Sequence, residues 1–112
     1  MSELIEKCTD VSNGLVDIFE SIDKEKTKNC IGIQLITSSM KINKHIRQLE
    51  DKQGISGYVR RQKETLNDIS EVEFLIMMLI NGGFIAEDKS VSVLQDCAIL
   101  RRLIESGRSG GA

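Results

Sequence analysis

The chain reads as an all-α protein, an antiparallel up-down four-helix bundle, on three observations. It contains no proline, so no interior position is barred from a helix on that ground. Its apolar content is Ile, Leu, Val and Met, with aromatics at only 4%, whereas strand-rich domains draw on aromatics and threonine with turn signals at close intervals. Four segments repeat apolar residues at spacings of three and four, and short polar or glycine-bearing breaks separate them. The 112 residues, 40% of them hydrophobic, suit one domain with one core. Residues 1–106 are expected to form the bundle and residues 107–112 a flexible tail.

The first segment, residues 2–22, carries Leu4, Cys8, Val11, Leu15, Ile18 and Ile22 on one face. Ser2 suits the N-cap, and Glu3 and Glu6 suit the positive end of the helix dipole. Gly14 lies inside this helix at a cost of about 1 kcal/mol against alanine, which close approach of a second helix would explain. The charged run 23–28 reads as a solvated turn. The second segment, residues 27–51, places Ile31, Leu35, Ile42, Ile46 and Leu49 on one face. Ser38 or Ser39 fills the gap, and Ile33, Ile36 and Met40 widen the face. The two serines either permit close packing or bond the carbonyl one turn back.

Gly54 and Gly57 mark the next break. The third segment, residues 55–81, has Ile55, Val59, Leu66, Ile69, Val72, Ile76 and Leu79 as its stripe, with Gln62 as a polar interruption. From Val72 onward, Phe74, Leu75, Met77, Met78 and Ile80 make it apolar nearly all round. Such a helix seeks burial on every side, so part of it, Phe74, Met77 and Met78 above all, is expected to meet another subunit. Asn81-Gly82-Gly83 is the clearest helix stop, with Phe84 and Ile85 folding back on the helix end. The last helix begins at 87–90, runs along Val93, Cys97, Leu100 and Ile104, and is expected to end at Gly107.

Net charge is −2, which excludes strong nucleic-acid affinity from bulk charge alone. Yet the charge is segmented: −3 over residues 1–30, +5 over 31–63, −6 over 64–99 and +2 over 100–112. Cys8, Cys30 and Cys97 are odd in number and widely spaced, which suits reduced thiols and neither a disulfide framework nor a zinc site. The start of the chain lacks a basic region followed by an apolar stretch, so no signal peptide is expected. The longest apolar run, residues 74–80, is too short to span a bilayer. A cytoplasmic protein without membrane association is therefore expected.

The basic run is the main functional lead. Lys41, Lys44 and Arg47 come from the second segment, Lys52 from the break after it, and Arg60, Arg61 and Lys63 from the third. An antiparallel hairpin brings the two sets together, where they suit contact with the phosphates of RNA or DNA. Arg101 and Arg102 extend the patch or serve solubility. Tyr58 is the only aromatic nearby, so base stacking is not expected. Catalysis finds no support: the sole histidine, His45, has no spaced nucleophile and acid, and no Gly-rich phosphate loop exists. Glu64, Asp68, Glu71 and Glu73 lack the Glu-x-x-His pairs of a two-metal bundle, so neither metal nor cofactor is expected.

Residues 34–46 (QLITSSMKINKHI), residues 70–79 (SEVEFLIMML), Gly83-Phe84-Ile85 and residues 95–104 (QDCAILRRLI) together resemble a known family. It is the small four-helix-bundle family of proteins encoded within intervening sequences of bacterial 23S rRNA genes, related to the accessory variability determinant proteins of diversity-generating retroelements. The chain departs from the pattern at Lys41, where the family has serine, and at Arg47-Gln48. The resemblance implies a cytoplasmic bundle that assembles into a ring, typically a homopentamer. For some members it implies binding to nucleic acid and to a protein partner such as a reverse transcriptase. It also implies that Glu71 and Glu73 lie near subunit contacts, facing an arginine or lysine. The expected function is a non-enzymatic homo-oligomeric scaffold that contacts nucleic acid. The alternative is a protein-interaction adaptor with no nucleic-acid role.

Overall fold

A computed structural model describes residues 2–22, 30–50 and 55–110. Within them are four helices: α1 (Glu3–Ser21), α2 (Cys30–Glu50), α3 (Ile55–Asn81) and α4 (Glu87–Gly110). Each packs against two others, in the closed order α1–α2–α3–α4–α1, so α1 and α3 sit diagonally. All four seams are antiparallel. Ser12 meets Ser39 and Ser2 meets Glu50 across α1–α2; Ser38 meets Glu71 and His45 meets Asp68 across α2–α3. Gln62 meets Ile104 and Ser70 meets Arg101 across α3–α4; Lys7 meets Asp96 and Gly14 meets Val93 across α4–α1. In every pair one number rises as the other falls. This is the up-down four-helix bundle that the periodicity predicts.

Two of the ends form as the sequence predicts: the start of α1 and the stop of α3. Ser2 caps α1 by accepting a hydrogen bond from the Ile5 N–H at 3.0 Å. At the end of α3 the Phe84 N–H donates to the Leu79 carbonyl and the Gly83 N–H to the Ile80 carbonyl, both at 3.0 Å. That pattern is a Schellman cap, and Gly83 takes the left-handed conformation it needs, with φ of 75°. The Phe84 ring folds back over Gly82 and packs on the core. The last helix does not stop at Gly107 but continues to Gly110. A glycine weakens a helix by about 1 kcal/mol yet keeps its N–H donor, so it need not end one.

The core is aliphatic, built from Val11, Leu15 and Ile18 of α1, Leu35, Ile42 and Ile46 of α2, Ile69, Val72, Ile76 and Leu79 of α3, and Val93, Leu100 and Ile104 of α4. Cys8 and Cys97 are free and buried within it. Burial pushes the Cys8 thiol up to about 11 and the Cys97 thiol up to about 12, the latter helped by the nearby Glu73 and Asp96 carboxylates. Both are therefore protonated at neutral pH and are poor nucleophiles. The side chain of Cys30 lies outside the described residues.

Several expectations about the faces change. Ile33 and Met40 do not widen the core face of α2; they are 60% and 67% exposed. Each stands two residues from a core position, Leu35 or Ile42, and two residues turn a helix by about 200°, to its far side. In α3, Val59 and Leu66 are only half-buried, while the polar Gln62, Thr65 and Asp68 are buried. Gln62 is thus no gap: its amide donates to the Ile104 carbonyl at 2.8 Å. Ser38 and Ser39 bond neither carbonyl one turn back. They reach across the seams, Ser38 to Glu71 at 3.4 Å and Ser39 to Ser12 at 3.3 Å.

Gly14 is explained by contact. A Cβ there would lie 2.5 Å from Cγ2 of Val93, a β-branched side chain held stiffly at χ1. Gly14→Ala is therefore expected to lower stability by about 1–3 kcal/mol in urea unfolding, despite the better helix propensity of alanine. Adding Val93→Ala should relieve the clash, so that Gly14→Ala costs less in that background than in the native chain.

Candidate functional site

The outward faces of α2 and α3 form one continuous surface because the two helices are neighbours. On α2 the outward stripe is Ile33, Thr37, Met40, Lys44 and Arg47, at spacings of four and three, with Lys41 beside it; all six are exposed. On α3 the stripe is Arg60, Lys63, Asn67, Ser70, Phe74 and Met77 or Met78, all exposed. Each stripe is cationic at one end and apolar at the other. The antiparallel seam sets the like ends side by side, so the surface has a basic half and an apolar half.

In the basic half, Lys41, Lys44, Arg47 and Lys63 have no carboxylate within 4 Å among the described residues. Arg60 is paired with Glu64 of its own helix at 3.1 Å, but its side chain is 83% exposed, so the pair holds it weakly. Arg61 is not part of this surface. It is half-buried, and its guanidinium lies against Gly57 one turn back. Lys52 lies outside the described residues. Arg101 does not extend the patch either, since it is bonded to Glu73 and to Ser70. Arg102 is exposed on α4.

In the apolar half, Phe74 is 64% exposed, Met77 47% and Met78 42%, beside Ile33 and Met40 of α2. Leu75 is buried and Ile80 half-buried, so the apolar end of α3 serves the core on one side and faces outward on the other. Glu71 and Glu73 flank Phe74 on opposite sides. Glu71 is exposed and accepts from Ser38; Glu73 is half-buried, and its partner is Arg101 of the same chain. An in-chain cation thus occupies the place where a neighbouring subunit's was expected for Glu73.

Beneath the basic half lies a feature that spacing alone does not reveal. His45 of α2 has a carboxylate of α3 at each ring nitrogen: Asp68 Oδ2 is 2.5 Å from Nδ1 and Glu64 Oε2 is 3.4 Å from Nε2. The Nδ1–Asp68 contact is a hydrogen bond, and Glu64 lies near the other side of the ring. The Asp68 side chain is only 12% exposed and that of His45 17%. The sequence holds the signal only as one histidine and a carboxylate pair at a four-residue spacing; pairing them needs the α2–α3 register. With Glu64 and Asp68 on His45, Glu71 on Ser38 and Glu73 on Arg101, each member of the acidic run has a partner in the chain. No cluster of metal-ligating side chains is present among the described residues, and no helix there is long and apolar enough to cross a membrane.

No protein-family model matches this chain, and no curated protein and no solved structure is significantly similar to it.

His45→Ala leaves the buried Asp68 carboxylate without its partner. The variant is expected to lose about 1–3 kcal/mol in urea unfolding. Asp68→Asn combined with His45→Ala should lose less than the two single losses added, as groups in direct contact do.

Proposed function

We propose that this protein is a non-enzymatic, cytoplasmic, homo-oligomeric scaffold that binds a nucleic acid through the outward face of α2. One observation carries the reading: Lys41, Lys44 and Arg47 stand exposed within two turns of one helix, with no carboxylate within 4 Å among the described residues. Neighbouring Arg60 and Lys63 add to the positive potential there. A polyanion gains by displacing counterions onto such a surface, and repetition of the patch in an oligomer multiplies the gain. Among the described residues no exposed aromatic side chain stands beside Lys41, Lys44 or Arg47 on α2, which suits contact with the phosphate backbone and not base stacking. The resemblance to the rRNA-intervening-sequence and retroelement bundles favours RNA or DNA as the polyanion, and a reverse transcriptase as a further partner.

The exposed Ile33, Met40, Phe74, Met77 and Met78 favour a second reading, a protein adaptor that binds through apolar surface. Salt separates the two. Fluorescence anisotropy with a labelled 20-nucleotide RNA and a DNA duplex of equal length is expected to show binding at low salt that weakens steeply as salt rises. Replacing Lys41, Lys44 and Arg47 by glutamine should flatten the salt slope for the RNA by about 2. Absence of binding to both probes at low salt, or an unchanged slope in the triple variant, would leave the adaptor reading.

A further inference from the structure

Along α3, Lys63, Asn67, Ser70, Phe74, Met77 and Asn81 are all exposed, at alternating steps of four and three. They form a second stripe of the helix, on the side away from the core positions Ile69, Val72, Ile76 and Leu79. A sustained alternation of three and four is what one helix offers to another lying along it. The first half of the stripe is polar and cationic, with Arg60 one turn before Lys63. The second half is apolar: Phe74 is 64% exposed, Met77 47% and the adjoining Met78 42%. The Glu71 and Glu73 carboxylates that flank the stripe each have a partner within the chain, Ser38 and Arg101.

We infer that this end of α3 pairs with the same end of α3 in a second copy, antiparallel about a two-fold axis that crosses the helices between Phe74 and Met77. This rests on the homo-oligomeric reading above and names the contact that builds it. In that register Phe74 of each copy lies on Met77 of the other, ring against sulfur, a favourable contact made twice. One turn further out Ser70 faces Asn81, so polar positions meet polar ones. Ser70 Oγ accepts from Arg101 at 3.1 Å and can donate to the Asn81 amide oxygen of the other copy. Both members of every pair lie on α3, so the register depends on spacing along one helix alone.

Charge sets the direction. Two α3 stripes running the same way oppose Lys63 to Lys63 and Arg60 to Arg60. Turned end for end, the two Lys63 positions stand about 37 Å apart along the axis, well past a screening length of roughly 10 Å. Area favours a second copy as the occupant. At about 200 Å² for a fully exposed side chain of this size, Phe74, Met77 and Met78 bare roughly 300 Å² of each copy. With Ser70, Asn81 and the adjoining Ile33 of α2, the pair covers on the order of 1,000 Å², at the low end for a specific interface. The same patch serves on both copies, so the contact closes at two. Lys41, Lys44 and Arg47 lie on α2 and stay outside it, so the dimer presents two such surfaces to one polyanion.

Sedimentation velocity of the full chain over a concentration series tests this, with far-UV circular dichroism to confirm folding. The unaltered chain is expected to pass from monomer to dimer and no further. Phe74→Ala should weaken the dimer about tenfold or more. Ser70→Lys with Asn81→Lys sets like charges together twice and should weaken it by as much. Ser70→Lys with Asn81→Glu should retain the dimer, because each new lysine then meets a glutamate of the other copy; helices paired in the same direction would oppose like charges in both double variants. A chain that stays monomeric at every concentration overturns both the homo-oligomeric reading and this contact. Assembly beyond a dimer, a dimer that Phe74→Ala leaves unchanged, or a lysine–glutamate variant as weak as the lysine–lysine one overturns this contact and leaves the homo-oligomeric reading standing.

Discussion

The His45 link across the α2–α3 seam is the constraint on which the exposed surface depends. An imidazole held between Asp68 and Glu64 fixes how far α2 is shifted along α3 and which side of each helix turns inward. Aliphatic packing alone tolerates exchange among similar shapes, whereas a half-buried ring with a carboxylate on each nitrogen has one good partner set. A slip of one residue in α3 would rotate it by about 100°, carrying Asp68 away from the ring and Phe74 off the outward stripe. The side-by-side placement of Lys44 and Arg47 with Lys63, and of Ile33 with Met78, follows from that single register.

The same seam chemistry explains why a chain with net charge −2 presents a cationic surface. The acidic residues of the third helix turn toward its neighbours: Glu64 and Asp68 toward α2, Glu71 toward Ser38, Glu73 toward Arg101. The cations of α2 face away from both of its seams. Glu6 and Asp10, with the exposed Asp17 and Glu20, leave the outward side of α1 acidic. Charge is therefore sorted by face.

Much of this was legible in the residues. The stripes of three and four, the Ser2 cap, the Asn81-Gly82-Gly83 stop and the tight place implied by Gly14 all depend on a helix's own geometry or on one small side chain. What was not legible depends on pairing between helices. Met40 looked like core because it is apolar; only the angular position relative to Ile42 turns it outward. Gln62 looked like an interruption because its partner is a backbone carbonyl of another helix, which no spacing reveals. Arg61 was grouped with Arg60 by adjacency, yet one residue along a helix is a turn of about 100°, enough to bring it inward over Gly57. The candidate nucleic-acid surface was thus legible as a run of cations, and its final membership was decided by helix rotation.

Backbone amide shifts of the isotopically labelled protein, followed while a short RNA is added at low salt, test the central claim most directly. Shifts gathered around Lys41, Lys44 and Arg47, with little change along α1 and the outward side of α4, are the expected result. Shifts confined to α1 or α4, or none at saturating RNA, would contradict an α2-borne polyanion surface.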